Sequence, residues 1–438
     1  MGKALARGKL TMKQFFSPTR IGGAFMLPAS KSYAHRALIG AALAGNCHVY
    51  GVDLSSDLEA TIDILTAFGA EITYGTNRSV DVASPCKPGG DAICVSCRSS
   101  ATTFRLLLPI AAALGKNVTF LGDESLQKRP QDTVFQLLRS HGITLTDHDG
   151  TLPITVSGHL TPGDYLIDAS LTSQFVSGLL MALPLVSDTT LTLSGAPVSK
   201  PYLAMTLSVL DRFGVRVGQV FSDTYSYQIP GGKYHPTDIT LPADPSQAAF
   251  FAVAAALAAE DDGLTLCGLI PDGGDFRIFD FLEKFGVRTE RQGEFVTVYR
   301  AEKLIPADLT LTDHPDLLPA LAVLAAFAEG ESHFSGVGRL RYKESDRLFT
   351  TKALLTSLGG HAAYEDDCFT VFGTGSLTGG EVNSFGDHRI AMAAAAASVA
   401  CSEKVCVSGF ECIDKSYPRF FDDFVSVTEP KEERKLTV

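Results

Sequence analysis

The stretch LDRFGV at residues 210–215 is one of five related stretches that decide the fold of this chain. In each of them a helix-periodic apolar segment ends in a glycine, the residue that most readily adopts the left-handed backbone just beyond a helix. The five glycines are Gly69, Gly142, Gly214, Gly286 and Gly359. Neighbouring glycines lie 72 or 73 residues apart, and so regular a spacing predicts a repeated structural unit.

A second series of predicted helices interleaves with the first and has the same period. These helices are rich in Ala and Leu, and they begin near Ser30, Ser99, Ser170, Asp244, Asp313 and Gly386, most of which favour the N-cap. Short β-branched stretches such as TLTLSG at 190–195 separate the helices and predict strands. Each unit therefore combines strands with one helix that is apolar all round and one amphipathic helix. The sixth amphipathic helix is predicted over 414–427.

Six such units fill the 438-residue chain. Three units per lobe give two lobes of ordinary domain size, so the sequence predicts an α/β repeat architecture. The alternative is a doubly wound parallel sheet. That fold does not explain the period, and the chain lacks a GxGxxG turn after the first predicted strand.

Composition and charge exclude several classes of protein. The formal net charge is -12, which disfavours nucleic acid as a partner because phosphate backbones attract basic surfaces. The longest apolar stretches, such as 248–259, are too short to span a membrane. Nine scattered cysteines and a first segment without an apolar core predict a cytoplasmic protein with reduced thiols. Cys94 and Cys97 have no second ligand pair at metal-binding spacing, so no metal site is expected.

The apolar helices begin with residues that can bind anions. SKSYAHR at 30–36 places Lys31 and His35 on one helical face, with Ser32 and Arg36 on the adjacent one. Free N–H groups and the positive end of the helix dipole favour an anion at such a start. A single start of this kind is more often a solvated, capped helix end, but six in phase favour a functional cleft. The other five are SSATTFR (99–105), SLTSQF (170–175), ADPSQ (243–247), DHPDLLP (313–319) and FGDHR (385–389).

The amphipathic helices add a second ring of similar starts. These are GDESLQKRPQD (122–132), SKPYLAM (199–205), GGDFRIFD (273–280), RYKESDRLF (341–349) and DKSYPRF (414–420). The two rings supply the basic residues Lys31, Arg129, Lys343, Arg347, Arg389 and Lys415. A basic interior in an acidic protein predicts small substrates that carry phosphate and carboxylate groups. Asp316, Glu344 and His388 stand beside basic residues or helix starts and are candidate acid–base groups.

These segments follow one another in the order typical of a known enzyme family. From about residue 14 to 426 the chain closely resembles the 5-enolpyruvylshikimate-3-phosphate synthases, or 3-phosphoshikimate 1-carboxyvinyltransferases. The matching segments are LPASKSYAHRAL, GDESLQKRP, TSQF, SKPY, HPDLLP, KESDRL, GDHRIAM and DKSYPRFF. Any one of them alone is weak evidence, whereas all of them in this order are highly specific.

The resemblance implies an inside-out α/β barrel of two lobes, each built from three βαβαββ units. The chain would cross between the lobes near residues 28 and 243. One lobe would then comprise residues 1–28 and 244–438, the other residues 29–243, with the active site in the cleft between them. We expect a monomer that needs no metal or organic cofactor and has no nucleic-acid or membrane partner.

The resemblance also implies two overlapping sets of binding residues. Shikimate 3-phosphate would contact Lys31, Ser32, Arg36, Thr172, Ser173, Gln174, Ser199, Tyr202, Asp316 and Lys343. Phosphoenolpyruvate would contact Lys31, Ala101, Arg129, Gln174, Arg347, Arg389 and Lys415. The implied reaction transfers the enolpyruvyl group to the 5-hydroxyl of shikimate 3-phosphate and releases phosphate, on the route to chorismate and the aromatic amino acids.

The implied catalytic residues are Asp316, Glu344, Lys31 and His388. Asp316 would take the proton of the attacking hydroxyl, and Glu344 would protonate the methylene carbon to give a tetrahedral ketal phosphate. Reversal of both proton transfers would expel phosphate. Lys31 and His388 would assist proton transfer and stabilise charge.

Two positions depart from the family pattern. Where Asn-Ala-Gly-Thr and then Arg-Pro are common, this chain has SSAT at 99–102 and RL at 105–106. The Ala101 methyl would project into the phosphoenolpyruvate site, so we expect reduced sensitivity to glyphosate, an inhibitor that occupies that site. Arg339 stands where an asparagine often contacts the substrate, so the resemblance does not carry that asparagine contact over to this chain.

Two other functions are alternatives to enolpyruvyl transfer onto shikimate 3-phosphate. The enolpyruvyl transferases that act on UDP-N-acetylglucosamine carry a reactive cysteine about 24 residues after their counterpart of Arg105, where this chain has Lys128-Arg129-Pro130. A non-catalytic six-repeat scaffold, such as a nucleic-acid clamp, would not need acids, bases and arginines at every helix start. Both functions are therefore disfavoured.

Overall fold

The structure is a computed structural model, and it describes residues 13–221, 225–271 and 274–428. The first twelve and last ten residues, assigned from the sequence to the lobe formed by both chain ends, lie outside the described residues. So does Gly273 of the GGDFRIFD stretch.

Strands and helices are mixed along the whole described chain. The first part contains β1 (Lys13–Phe16), β2 (Ile21–Met26), α1 (Lys31–Ala44), β3 (Cys47–Tyr50), α2 (Ser56–Ala67), β4 (Glu71–Tyr74), β5 (Val80–Ser84), β6 (Ile93–Ser96), α3 (Ala101–Ala113) and β7 (Val118–Leu121). The middle contains α4 (Glu124–Gln127), α5 (Phe135–Ser140), β8 (Ile143–His148), β9 (Thr151–Gly158), β10 (Asp164–Asp168), α6 (Gln174–Ala182), β11 (Thr189–Ser194), α7 (Lys200–Arg212), β12 (Gly218–Phe221), β13 (Tyr225–Ile229) and β14 (Ile239–Thr240). The last part contains α8 (Pro245–Ala258), β15 (Ala259–Cys267), α9 (Ile278–Lys284), β16 (Thr289–Gln292), β17 (Phe295–Val298), β18 (Leu309–Thr310), α10 (Leu318–Ala326), β19 (Gly330–Ser335), α11 (Arg347–Ser357), β20 (His361–Glu365), β21 (Cys368–Gly373), β22 (Gly380–Asn383), α12 (His388–Ser398), β23 (Val405–Ser408) and α13 (Phe420–Thr428).

The strands of the described chain form small sheets that repeat one topology. Their strand orders are β14-β3-β5-β4, β6-β7-β9-β8, β10-β11-β13-β12, β2-β15-β17-β16, β18-β19-β21-β20 and β22-β23-β1. In each sheet the first pair is parallel and the following pairs are antiparallel. In four of these sheets a single helix joins the two parallel strands: β6 to β7, β10 to β11, β18 to β19 and β22 to β23. This is the βαβαββ repeat that the sequence predicts, and the α/β fold of six repeats is confirmed. Strands distant in sequence complete three sheets: β14 pairs with β3, β2 pairs with β15, and β1 pairs with β23.

The predicted glycines end the amphipathic helices as expected. All five have a positive φ, between 73° and 98°. After four of them the next N–H group bonds back to the carbonyl five residues earlier, as in Val215 N to Leu210 O at 2.9 Å. This Schellman geometry satisfies carbonyls that the helix end leaves open, and it fits a residue without a Cβ.

The buried residues form two separate hydrophobic cores. The insert core is built from residues between 33 and 241, and the terminal core from residues 16–27 together with residues between 243 and 427. In the terminal core α8, α10 and α12 pack against one another, and every residue of α10 and α12 is buried. The apolar helices thus lie inside and the sheets outside. The chain passes between the cores twice, side by side, where Ala29 pairs with Ala243 in an antiparallel bridge.

Some predicted helix starts are wrong. The helix predicted from residue 414 begins at Phe420, because Pro418 disfavours a helical conformation for the residue before it. Near Asp313 the chain first forms a tight 3₁₀ turn at Pro315–Leu317, and α10 follows. The helix predicted near Ser170 begins at Gln174. Among the described residues, none of the helices combines the length and apolarity needed to cross a membrane.

Candidate active site

One cleft between the two cores receives the starts of five apolar helices, α1, α3, α6, α10 and α12, whereas the predicted start at 243–247 is not part of its lining. The predicted site residues that line it are Lys31, Ser32, Arg36, Ala101, Arg129, Thr172, Ser173, Gln174, Ser199, Tyr202, Asp316, Lys343, Glu344, Arg347, His388 and Arg389. Lys415 is set back behind the wall, where its Nζ lies 3.5 Å from Glu344 Oε1. The structure therefore brings residues that are up to 358 positions apart in the sequence, Lys31 and Arg389, into one cleft.

The basic residues of α1 are fixed by different partners. Lys31 Nζ lies 2.9 Å from Asp57 Oδ2, a carboxylate that is only 3% exposed. Arg36 is buried and donates from Nε to Thr206 Oγ1 at 2.7 Å and from a terminal nitrogen to Ser177 Oγ at 3.2 Å. Lys31 therefore keeps its ammonium at the cleft surface, while Arg36 holds α1 against the neighbouring helices.

His35 does not act beside Lys31 in the cleft wall. It is completely buried, and its Nδ1 lies 2.8 Å from Thr61 Oγ1. Burial lowers the pKa of His35 to about 3, so the imidazole is neutral at neutral pH.

Asp316 is surrounded by three cationic side chains. Its Oδ1 lies 3.1 Å from Lys343 Nζ and 2.7 Å from a terminal nitrogen of Arg347, and its Oδ2 lies 3.4 Å from Arg389. Burial alone would raise the pKa of this carboxyl, but the charges of Lys343, Arg389 and Arg347 outweigh it and hold the pKa well below the usual range. Asp316 is therefore an anion before any substrate binds.

Glu344 has a similar environment. It lies 2.6 Å from Arg347, 3.3 Å from Arg129 and 3.5 Å from Lys415. Burial opposes ionisation, but Arg129, Lys415 and Arg347 hold the pKa of Glu344 well below the usual range. A carboxylate in contact with three cations is a poor acid until some of that positive charge is drawn elsewhere.

His388 lies in the same wall at the start of α12. It is 2% exposed, and burial together with the charges of Lys31 and Arg389 keeps its pKa well below the usual range. The imidazole is therefore neutral at neutral pH. Its Nδ1 has no hydrogen-bond partner among the described residues.

Arg347 is placed by a buried carboxylate at the start of the next apolar helix. Its Nε lies 2.9 Å and a terminal nitrogen 3.2 Å from the two oxygens of Asp387, which also caps α12 through Arg389 N. Such a two-point contact fixes the plane of the guanidinium. Arg347 and Arg389, predicted from two different segments, are thus positioned by one residue.

Direct contacts cross the cleft and hold it closed. Tyr202 OH lies 3.0 Å from Asp275 Oδ2, and Lys415 Nζ donates to Ser99 O at 2.8 Å. The ion pair between Arg129 and Glu344 also joins the two sides. In this arrangement residues from both sides can contact one bound ligand simultaneously.

Sequence reasoning missed several residues of the cleft wall. Asp57 belongs to no motif, and only the tertiary fold brings it to Lys31. Arg105 is buried and donates to Gln131, Gln174 and the Pro130 carbonyl at distances of 2.7 to 3.0 Å. Arg105 belongs to the predicted anion-binding start SSATTFR, six residues after Ser99 as Arg36 is six residues after Ser30, but it was not assigned to either substrate. The remaining wall residues outside the predicted set are Thr102, Pro130, Leu171, Pro315, Arg339 and Tyr342.

The charge of the cleft is opposite to that of the whole protein. Eight Lys and Arg residues line it against three acidic residues, Asp57, Asp316 and Glu344, although the formal net charge of the chain is -12. A cleft with this surplus concentrates small anions. His, Cys, Asp and Glu form no group of three or more that could hold a metal ion within the described ranges.

Known proteins are similar to this chain in both sequence and fold. A family model described as EPSP synthase (3-phosphoshikimate 1-carboxyvinyltransferase) matches residues 16–424. A 3-phosphoshikimate 1-carboxyvinyltransferase of Clostridium kluyveri is 38% identical over 94% of this chain and 96% of its own length. One from Methanocorpusculum labreanum is 37% identical over 94% of this chain and 97% of its own.

Solved structures agree with this assignment. The EPSP synthase of Acinetobacter baumannii superposes with a TM-score of 0.76 and 25% identity, over 95% of this chain and 98% of that one. An enolpyruvyl transferase of Streptomyces tendae has the same fold, with a TM-score of 0.76 at 20% identity over 95% and 97% of the two chains. The family predicted from the sequence is confirmed: this chain belongs to the EPSP synthases, the 3-phosphoshikimate 1-carboxyvinyltransferases.

Proposed function

We propose that this chain transfers the enolpyruvyl group of phosphoenolpyruvate to the 5-hydroxyl of shikimate 3-phosphate and releases phosphate, as a step of the shikimate pathway. The observation that carries this proposal is the cleft with eight basic residues around two carboxylates, Asp316 and Glu344, which can exchange protons with a substrate. Both substrates are polyanions, and the surplus of positive charge matches them.

The two substrates would divide the cleft between them. We assign shikimate 3-phosphate to Lys31, Ser32, Arg36, Thr172, Ser173, Gln174, Ser199, Tyr202, Asp316 and Lys343, and phosphoenolpyruvate to Lys31, Ala101, Arg129, Gln174, Arg347, Arg389 and Lys415. Supporting this, the buried Arg129 Nε has no hydrogen-bond partner within the described residues, and a bound anion would supply one. Lys415 would act from behind Glu344, where it is close enough to share the charge of the bound phosphoenolpyruvate.

The proposed reaction begins with addition. Asp316 accepts the proton of the 5-hydroxyl while the oxygen attacks C2 of phosphoenolpyruvate, and Glu344 donates a proton to C3. The product is a tetrahedral ketal that still carries the phosphate. In the second step Glu344 takes a proton back from C3, the C2–O bond to phosphate breaks, and the proton held by Asp316 passes to the departing phosphate, so that the enol ether and inorganic phosphate remain. Bringing both reactants together in a closed cleft lowers the entropic part of the barrier.

Substrate binding would also change the charge contacts of the two carboxylates, Asp316 and Glu344. In the free protein both carboxylates are held as anions by Arg347 and further cations. The carboxylate and phosphate of phosphoenolpyruvate compete for Arg129, Arg347 and Lys415, which weakens their hold on Glu344 and raises its pKa. Glu344 could then carry the proton that C3 needs. Lys31 and the neutral His388, both in the wall, would assist proton transfer and stabilise charge.

We further propose that the lobes comprise residues 1–28 with 244–438 and residues 29–243. The two separate cores and the paired crossing at Ala29 and Ala243 support these boundaries.

A monomer is proposed because the wall of the cleft is made by one chain. A cytoplasmic location is supported by nine free cysteines.

The proposal is tested by measuring phosphate release with both substrates. The wild type should release phosphate from phosphoenolpyruvate only when shikimate 3-phosphate is present, and UDP-N-acetylglucosamine should not replace it. Asp316→Asn should remove most of this activity while the protein remains folded. Release that depends on UDP-N-acetylglucosamine, or that is unchanged in Asp316→Asn, would refute the proposed reaction.

A further inference from the structure

Two of the helix starts predicted from the sequence have no part in the proposed reaction. These are ADPSQ at 243–247 and GGDFRIFD at 273–280, and no described residue of either lines the cleft. The two starts meet behind the cleft wall, where Ser246 Oγ donates to Asp275 Oδ2. Asp275 is completely buried, so its carboxylate depends on its neighbours in the protein for hydrogen bonds.

Asp275 accepts hydrogen bonds from three different parts of the chain. Its Oδ2 accepts from Tyr202 OH at 3.0 Å and from Ser246 Oγ, and its Oδ1 lies 3.3 Å from His314 Nδ1. A carboxylate only accepts hydrogen bonds, so Nδ1 is the nitrogen of His314 that carries the proton in this contact. Hydrogen bonds to a buried carboxylate are strong, and they fix the groups that donate them.

His314 lies two residues before Asp316 in the sequence. It is 4% exposed, and it is the N-cap residue of the 3₁₀ turn Pro315–Leu317, which brings Asp316 into the cleft wall. Leu317 N donates to the carbonyl of His314 at 3.1 Å, so the backbone of His314 is part of this turn. A displacement of the His314 ring would therefore displace the carboxylate of Asp316.

The carboxylate of Asp316 itself contacts groups that a substrate can draw away. Its oxygens lie near Lys343, Arg347 and Arg389, all of which bind a substrate in the proposed reaction. Asp275 is not part of the cleft lining, so a bound substrate leaves its contact with His314 intact. The position of Asp316 in the loaded cleft therefore depends on the turn and on the hydrogen bond that holds His314.

We propose that Asp275 is a positioning residue for proton transfer, which acts through His314 to hold Asp316 against the attacking hydroxyl. Asp275 touches neither substrate. Its bond from Tyr202 comes from the opposite side of the cleft, so the same carboxylate ties the proton acceptor to the closed arrangement. This inference rests on the proposed function, because it takes Asp316 as the group that accepts the proton.

The test removes one hydrogen bond and keeps the packing around it. His314→Phe retains an aromatic ring against Phe281, where the ring centroids are 5.7 Å apart, but this ring cannot donate to Asp275. His314→Asn retains a nitrogen donor at the place of Nδ1 and should restore the bond. The matched control is His333→Phe, since His333 Nδ1 lies 3.2 Å from Thr370 Oγ1 but on β19, outside the cleft wall.

Steady-state phosphate release gives kcat and KM for each variant, and the melting temperature shows that the variant is folded. In His314→Phe, kcat should fall about 10- to 100-fold, the usual effect of a small misplacement of a catalytic group. KM for phosphoenolpyruvate should change little, because Asp316 is not assigned to that substrate. His314→Asn should lie close to the wild type, and His333→Phe should match it.

A double variant tests whether Asp275 acts by the same route as His314. Asp275→Ala should lower kcat at least as much as His314→Phe does. Combining the two changes should lower kcat no further than Asp275→Ala alone, because the hydrogen bond is already lost.

An unchanged kcat in His314→Phe would overturn the proposal. Equal losses in His314→Phe and His314→Asn would also overturn it, since the ring would then act only by packing. The same holds for a rise in KM for phosphoenolpyruvate as large as the fall in kcat, and for losses that multiply in the double variant.

If His314→Phe does not fold, Asp275→Ala decides by the same comparison of kcat with KM. The proposed function fails separately, if the wild type releases no phosphate with both substrates.

Discussion

Asp316 and Glu344 each lie within 3.5 Å of three cationic side chains, and they share Arg347. This contact pattern gives the cleft two properties at once. The cations favour anionic ligands, and they keep both acids ionised. In the proposed reaction a substrate competes for the same cations, so the two proton-transfer groups would be coupled to binding rather than tuned in advance.

Glu344→Gln tests the proposed proton donor. The amide keeps the shape of the side chain but cannot deliver a proton, so kcat should fall about 100- to 10000-fold. KM for shikimate 3-phosphate should change little, because Glu344 is not assigned to that substrate. Steady-state phosphate release measures both constants.

Glu365→Gln, which changes an exposed glutamate at the end of β20, is the control and should behave like the wild type. A Glu344→Gln variant with full kcat would show that another group protonates C3.

Ala101→Gly tests the methyl group in the proposed phosphoenolpyruvate site. Ala101 is the first residue of α3, lines the cleft and is 4% exposed. Removing the methyl should lower the inhibition constant for glyphosate about tenfold or more, since a steric overlap costs about 1–3 kcal/mol. KM for phosphoenolpyruvate should change less.

The measurement is inhibition by glyphosate at several phosphoenolpyruvate concentrations. A wild-type inhibition constant near or below KM for phosphoenolpyruvate would contradict the expected tolerance, and so would an unchanged constant in Ala101→Gly.

The buried histidines predict how stability depends on pH. His35 has a pKa of about 3 in the folded protein, lowered by burial, against about 6.5 in an unfolded chain. Between these values the unfolded state binds more protons, so stability is complete above about pH 6.5 and is lost as the pH falls. The free energy of unfolding should decrease by up to about 1.4 kcal/mol per pH unit for this group, and His388 should add a similar slope.

Denaturant unfolding between pH 5 and 8 measures this slope. In His35→Asn the slope of the free energy of unfolding against pH should be smaller by the contribution of one histidine. His361→Asn, which removes an exposed imidazole, should keep the wild-type slope. Identical slopes in His35→Asn and the wild type would contradict the lowered pKa of His35.

At the scale of elements, the repeated helix–glycine endings and the β-branched strands could be predicted because they depend on local chemistry. The Schellman ends at Gly214 and its counterparts need only a residue without a Cβ and an apolar helix before it. The late starts of α6, α10 and α13 could not be predicted as well, because prolines and tertiary contacts shift a helix end by several residues. Asp57 was missed for a related reason: its partner Lys31 lies on another helix.

Gly178→Ala tests the packing of α6 on α3. A Cβ at this position would lie 2.4 Å from Arg105 O and 3.1 Å from Pro109 Cγ, so the two helices would have to move apart. The free energy of unfolding should drop by about 1–3 kcal/mol. Activity should also fall, because α6 begins at Gln174 and α3 carries Arg105, both in the cleft wall.

Gly232→Ala is the control, since a Cβ there would meet no atom within 4 Å. Stability is measured by denaturant unfolding of all three proteins. If Gly178→Ala is as stable as Gly232→Ala, the close approach of α6 and α3 does not constrain the fold.

At the scale of the whole molecule, two cores of the same repeat present their helix starts to one cleft. The sequence predicts this arrangement because six starts recur in phase, and all but one of the predicted site residues line the cleft. Closure could not be predicted, since contacts such as Tyr202 with Asp275 join elements that share no sequence pattern. The positive charge of the cleft inside an acidic protein is a property of the assembled fold rather than of any one segment.

The central claim is that this cleft joins the two substrates covalently before phosphate leaves. The most direct measurement is a single-turnover experiment with enzyme in excess. The reaction is quenched at successive times and analysed for products in which C2 of phosphoenolpyruvate is bonded to the 5-oxygen of shikimate 3-phosphate. We predict a ketal phosphate that contains both substrates and then decays to the enol ether with an equal amount of phosphate. Phosphate that appears without any product linking phosphoenolpyruvate carbon to shikimate 3-phosphate would contradict the account.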